Sequence, residues 1–140
     1  LFYSILINNS METTSEKKIK ILIVEDDELN IVMVTSFLRG KYEIESARSG
    51  NEALKKAIDN HYDIFLMDIG LKKEMTGLDV TSKLRKMSEY KDTPIIALTA
   101  YALSGDKERI LSAGCSHYLS KPFTKQQLLS LIDKALIKSP

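Results

Sequence analysis

The chain has 140 residues, 44% of them apolar and 28% charged, with a formal net charge of +1. That is one domain's worth of ordinary globular sequence, enough to bury roughly two-thirds of its unfolded surface. A near-zero net charge supplies no global field to attract nucleic acid or an anionic membrane, so neither is expected as a partner, and the single cysteine, Cys115, excludes an internal disulfide and any multi-thiolate metal site.

Cys115 reads as a small buried hydrophobe, and such cysteine usage fits a reducing, cytoplasmic compartment. The apolar start, LFYSILINNS, is too short to span a bilayer and lacks the basic opening of a signal peptide. Met11 then opens a polar tract and reads as a natural start. Residues 1–18 are therefore expected to be an N-terminal extension, either a linker remnant or expression-derived, ahead of one domain at 19–138.

From Ile19 onward, strand-like and helix-like segments alternate. Ile19–Val24 is a near-continuous apolar run, and Asp27–Gly40 follows with helical spacing at Leu29, Val32, Met33 and Phe37. Tyr42–Ser46 alternates, with Tyr42 and Ile44 on one side and Glu43 and Glu45 on the other. Ser49 and Glu52 form a capping-box pair ahead of Ala53, Leu54, Ala57 and Ile58. Next come the strand Asp63–Asp68, a helix over Gly77–Met87, the strand Pro94–Leu98, a helix over Ser104–Ala113 and the short strand Ser116–Leu119. Thr124 and Gln127 cap a last helix that carries Leu128, Leu131, Ile132 and Ala135.

Five strand–helix units in succession predict an α/β fold with a doubly wound parallel sheet and helices on both faces. The first, third and fourth strands are uniformly apolar and should be central. The second alternates and the fifth is short and mixed, which makes them edges. The order 2-1-3-4-5 of a flavodoxin-like (βα)5 domain satisfies this, with its switch point between the first and third strands.

The carboxyl ends of the strands then carry the chemistry. Glu25, Asp26 and Asp27 follow the first strand, Asp68 ends the third, Thr99 and Ala100 follow the fourth, and Lys121 and Pro122 follow the fifth. Carboxylates gathered across the switch point repel one another unless a cation joins them. Oxygen donors without histidine or thiolate favour a hard ion, with Mg2+ the best match. A hydroxyl at Thr99 and an ammonium at Lys121 suit the oxygens of a phosphoryl group, and a carboxylate can itself be the nucleophile.

The runs ILIVEDD, FLMDIG, PIIALTAYA and HYLSKPF, in this order and spacing, resemble the receiver domain of two-component response regulators, the CheY-like superfamily, from Ile19 to about Ile137. The resemblance implies that Asp68 takes a phosphoryl group from a phosphohistidine on a histidine kinase or histidine phosphotransfer protein. Asp26, Asp68 and the Gly70 carbonyl would ligate Mg2+, with Glu25 acting through water. Thr99, the Ala100 backbone N–H and Lys121 would hold phosphoryl oxygens, and the Lys121–Pro122 bond would be cis. It also implies a switch in which Thr99 and Tyr118 move and alter the face of the fourth helix, fifth strand and fifth helix. From spacing alone, Tyr118 serves equally as an edge-strand packing residue. Such a protein is a signalling phosphoacceptor with self-phosphorylation and slow self-dephosphorylation, not a turnover enzyme.

One stretch departs from the family pattern, which usually has a proline four residues after the acceptor and a glycine eight after. Here Leu71–Thr76 holds no proline, and Gly77 lies nine after Asp68. Lys72 and Lys73 read first as solvated loop charges and second as aids to phosphate or acidic-partner approach. Asp27 reads as a helix cap, and His61 and His117 as surface or packing residues. Tyr101 is bulky where the family uses size to control water access to the phosphoryl group.

The first helix carries, besides its expected core stripe at Leu29, Val32, Met33 and Phe37, a second apolar row at Ile31, Val34 and Leu38. That row is expected to dock the histidine-bearing donor, unless loops or the last helix cover it. Val34→Glu would then weaken transfer from the donor and spare small-molecule phosphorylation.

Three other functions compete with this reading. A Mg2+-dependent phosphatase that forms an aspartyl phosphate commonly has a second acid two residues after the nucleophile, where Gly70 stands here. A flavodoxin-like cofactor binder needs a Gly-, Ser- or Thr-rich phosphate loop after the first strand, where this chain has Glu25–Glu28. A receiver-like fold used only for binding would not need the acids, Thr99 and Lys121. The pattern fits both a stand-alone regulator and the receiver of a hybrid kinase, with Met11 favouring the first.

Overall fold

The computed structural model describes residues 17–100 and 105–137. Five parallel strands, β1 (Lys20–Val24), β2 (Glu43–Ala47), β3 (Ile64–Asp68), β4 (Ile95–Thr99) and β5 (His117–Ser120), form one sheet in the order β2-β1-β3-β4-β5. The expected order and central strands are thus observed. The helices among the described residues are α1 (Glu28–Leu38), α2 (Gly50–Asp59), α3 (Gly77–Arg85), α4 (Asp106–Ser112) and α5 (Lys125–Leu136), with a 3-10 turn at Ser88–Tyr90. No described helix is long and apolar enough to cross a membrane.

Because successive side chains along a strand point to opposite faces, the apolar runs divide between two cores. Leu22, Val24, Phe65, Met67, Ile95 and Ala97 meet Ala53 and Ala57 of α2, Val80 and Leu84 of α3, and Ile110 of α4. Ile21, Ile23, Ile64, Leu66, Ile96 and Leu98 face Val34 and Leu38 of α1 and Leu128, Ile132 and Ala135 of α5. The residues of β3 and β4 are buried throughout, as strands covered on both faces must be.

Caps set the helix starts. Asp27 caps α1 by accepting from the Leu29 N–H, and Thr124 and Gln127 form the expected reciprocal box on α5. At α2 only half the expected box forms: Ser49 accepts from the Glu52 N–H, but the Glu52 carboxylate takes the N–H of Arg48. The 3-10 turn had no counterpart in the apolar periodicity. It carries buried Tyr90, whose hydroxyl lies 2.8 Å from both the Ala57 and Asn60 carbonyl oxygens, while Arg85 donates to the carbonyls of Gly114, Tyr90 and Thr93.

The expected faces of α1 are reversed. Ile31, Val34 and Leu38 are buried, whereas Leu29 is 77% and Val32 54% exposed and Met33 also reaches solvent. Of the expected core stripe only Phe37 packs inward, edge-on to Phe123 at 6.5 Å. Both rows have helical spacing, so periodicity alone did not choose between them. The contact with the sheet and α5 buries the row at 31, 34 and 38.

Truncation separates the two rows. Leu38→Ala should cost about 2–5 kcal/mol in urea denaturation, the usual cost of a buried cavity, and Leu29→Ala should stay within about 0.5 kcal/mol of the unaltered protein. Equal losses would contradict the observed face.

Candidate functional site

Strand register brings the acids together. Val24 pairs with Met67 across β1 and β3, so Glu25 emerges beside Asp68, the last residue of β3. On the other side Asp68 pairs with Leu98, and Thr99 pairs with Ser120, so Lys121 leaves β5 next to the end of β4. Ligand oxygens of Glu25, Asp26 and Asp68 all lie within 4.8 Å of one another.

Two of these acids are enclosed, Glu25 being 3% and Asp68 6% exposed. The Lys121 ammonium lies 3.3 Å from Asp68 Oδ1 and 3.4 Å from Glu25 Oε1, so it pairs with two of the three clustered carboxylates. Asp68 Oδ1 also accepts from the Gly70 N–H at 2.9 Å, and Glu25 Oε2 from the Asp27 N–H at 3.2 Å. Burial, followed by the hydrogen bond and charge of Asp68, pushes the Glu25 carboxyl up to about 7, against the opposing pull of Lys121.

Thr99 is buried at the end of β4, and its carbonyl accepts from the Lys121 N–H at 2.7 Å. Ala100 follows on the surface, while Tyr101 lies outside the described residues. Tyr118 is half-buried on β5 against the α3-side core, with the Lys107 ammonium 5.9 Å from its ring centroid. The Lys121–Pro122 bond is cis, as expected.

The other singled-out residues have structural roles. Cys115 is buried against Thr81, which fits the small-hydrophobe reading, and burial raises its thiol. His61 bridges Asp63 and Glu89 and stacks on Tyr90, while His117 contacts Ser116.

The loop after β3 holds contacts that motif spacing did not reveal. Leu71 is buried and Met75 packs against the core, while Lys72 and Lys73 point their charges into solvent. The Lys72 backbone N–H donates to Asp26 Oδ2 at 3.1 Å. A Cβ at Gly77 would collide with the Asp68 carbonyl oxygen, which accounts for glycine at that position. Arg48 joins the rim, donating to the Asp26 carbonyl and pairing with Glu28.

The donor set is three carboxylates, two of them buried, which fits a hard divalent cation. Fold and site together define a doubly wound α/β domain with an acidic cluster, able to hold a cation, at its switch point.

The family model for the response regulator receiver domain matches residues 21–133, and the chain belongs to that family as a receiver domain of a two-component system. The polar-differentiation response regulator DivK of Brucella ovis is 42% identical over 117 residues, spanning 83% of this chain and 94% of the relative. Chemotaxis protein CheY4 of Vibrio cholerae superposes with a TM-score of 0.82 at 33% identity, over 86% of this chain and all of the other. The receiver domain of sensor histidine kinase PA1611 from Pseudomonas aeruginosa, solved with a magnesium ion in its active-site cleft, gives 0.79 at 35% identity over 86% and 98%.

The charge imbalance has a measurable consequence. An acid whose folded value is raised binds its proton more tightly in the folded state, so the metal-free fold is favoured below the ordinary 4.5 and loses stability as pH rises through about 7. In chelator above neutral pH, Glu25→Gln should therefore be more stable than the unaltered protein, on the order of 1–3 kcal/mol. The difference should fade on acidification, and a less stable variant at high pH would contradict the assigned cause.

Proposed function

We propose that Asp68 is the phosphoacceptor of a receiver domain spanning residues 19–138, with residues 1–18 as an extension. The observation that carries this reading is the convergence on one carboxylate: Asp68 ends the central strand, enclosed, with two further acids on one side and the Lys121 ammonium at 3.3 Å. The donor is a phosphohistidine on a histidine kinase or histidine phosphotransfer protein. An Asp68 oxygen attacks phosphorus as the P–N bond breaks, and the electron pair leaves on the imidazole nitrogen, which takes a proton from solvent.

Asp26, Asp68 and the Gly70 carbonyl would hold Mg2+, with Glu25 contributing through water. When bound, the ion neutralises acceptor and phosphoryl charge. Lys121 supplies the protein's own cation to a phosphoryl oxygen, and the Thr99 hydroxyl and Ala100 N–H take others. The chemistry is self-phosphorylation followed by slow self-dephosphorylation. The phosphatase alternative is not favoured, since the chain is a receiver and Gly70 occupies the place of that enzyme's second acid.

Partner contacts follow from what the helices leave uncovered. The exposed row Leu29, Val32 and Met33 begins immediately after the capping Asp27, beside the acids, and is the docking face for the histidine-bearing donor. This replaces the expected row containing Val34, which is core. A groove of about 540 Å³ between α4, β5 and α5, lined by Lys107, Leu111, Tyr118, Leu131 and Lys134 among others, is the face that changes when Thr99 and Tyr118 move.

Intact-mass measurement after incubation with acetyl phosphate tests the acceptor. One phosphoryl adduct should form only with Mg2+ and vanish in Asp68→Asn; an adduct that survives this substitution, or none at all, would refute it. In the same assay Val32→Glu should lower transfer from a phosphohistidine donor by about tenfold, equivalent to about 1.4 kcal/mol, while leaving acetyl phosphate labelling intact.

A further inference from the structure

We infer that Lys72 is a positioning residue of the cation site, acting through its backbone N–H and not through its ammonium group. The inference rests on the reading of the three acids as a cation site. Asp26 is the one acid of the three that is not buried, so packing constrains its carboxylate less than those of Glu25 and Asp68. The Lys72 N–H, 46 residues away in sequence, donates to its Oδ2 at 3.1 Å.

The donor is held on a fixed base. Leu71, immediately before it, is buried in the α3-side core. Met75 packs against that same core, Thr76 caps α3 in a reciprocal box with Asp79, and Gly77 is pressed against the Asp68 carbonyl. The loop is thus anchored on both sides of Lys72, and one of its anchors is the backbone of the acceptor strand.

A carboxylate offers about four lone-pair positions, so one N–H on Oδ2 leaves Oδ1 available to a cation. Fixing the side chain beforehand removes part of the ordering cost of binding. The departure at this position makes the bond available: a proline four residues after Asp68 would have no N–H to donate. The lysine side chain itself is exposed, and the bond to Asp26 is made by the backbone N–H.

Magnesium titration of the unphosphorylated protein, followed by amide NMR, tests this. Lys72→Pro, which deletes the donor, should weaken Mg2+ binding about fivefold, corresponding to about 1 kcal/mol of lost orientation. Lys72→Ala keeps the N–H and should stay within about twofold. Equal binding by the proline variant would overturn the inference, as would an alanine variant that is equally impaired. Should the proline variant not fold, the Lys72 amide proton of the metal-free protein gives a second test: its resonance should shift in Asp26→Ala, and an unmoved resonance overturns the inference. If the unaltered protein binds no Mg2+, the cation reading fails and this inference with it; if it binds and the variants match it, only the inference fails.

Discussion

Three carboxylates, Glu25, Asp26 and Asp68, crowd together at one end of a parallel sheet, with the Lys121 ammonium against two of them, and this crowding is the constraint the domain is built around. Like charges held this close in partial burial oppose folding, and the raised Glu25 carboxyl is the local sign of that opposition. The rest of the domain offsets the cost by burying apolar residues on both faces of β1, β3 and β4. A divalent cation would gain most at this end of the sheet, because unneutralised negative charge is already held in place there.

Geometry at this end is fixed by main-chain contacts more than by side-chain packing. Parallel register places Glu25 beside Asp68 and Lys121 beside the end of β4. Asp27 caps α1 while its own N–H bonds Glu25, so the start of that helix and the acid share one hinge of backbone. Gly77 lets α3 begin against the Asp68 carbonyl.

Much of this was legible in the chain. Central strands read as unbroken apolar runs because both their faces are covered, and the edges β2 and β5 read as alternating or short for the opposite reason. Residues at the strand ends could be grouped once that order was set. The face of α1 was not legible, since apolar residues occupy two helical rows and only docking on the sheet and α5 selects Ile31, Val34 and Leu38. Nor was the contact of Lys72 with Asp26, because a backbone donor has no residue signature beyond not being proline. The 3-10 turn at Tyr90 is held by hydrogen bonds to the backbone carbonyls of Ala57 and Asn60, and those partners lie far away in sequence.

Whether the crowded acids bind a divalent cation is read from thermal melting against Mg2+ concentration at slightly alkaline pH. The melting temperature should rise with Mg2+ and the rise should be largely lost in Asp26→Ala, since a ligand that binds only the folded state stabilises it by mass action. A melting temperature unaffected by Mg2+, or a rise that persists undiminished without the Asp26 carboxylate, would contradict it.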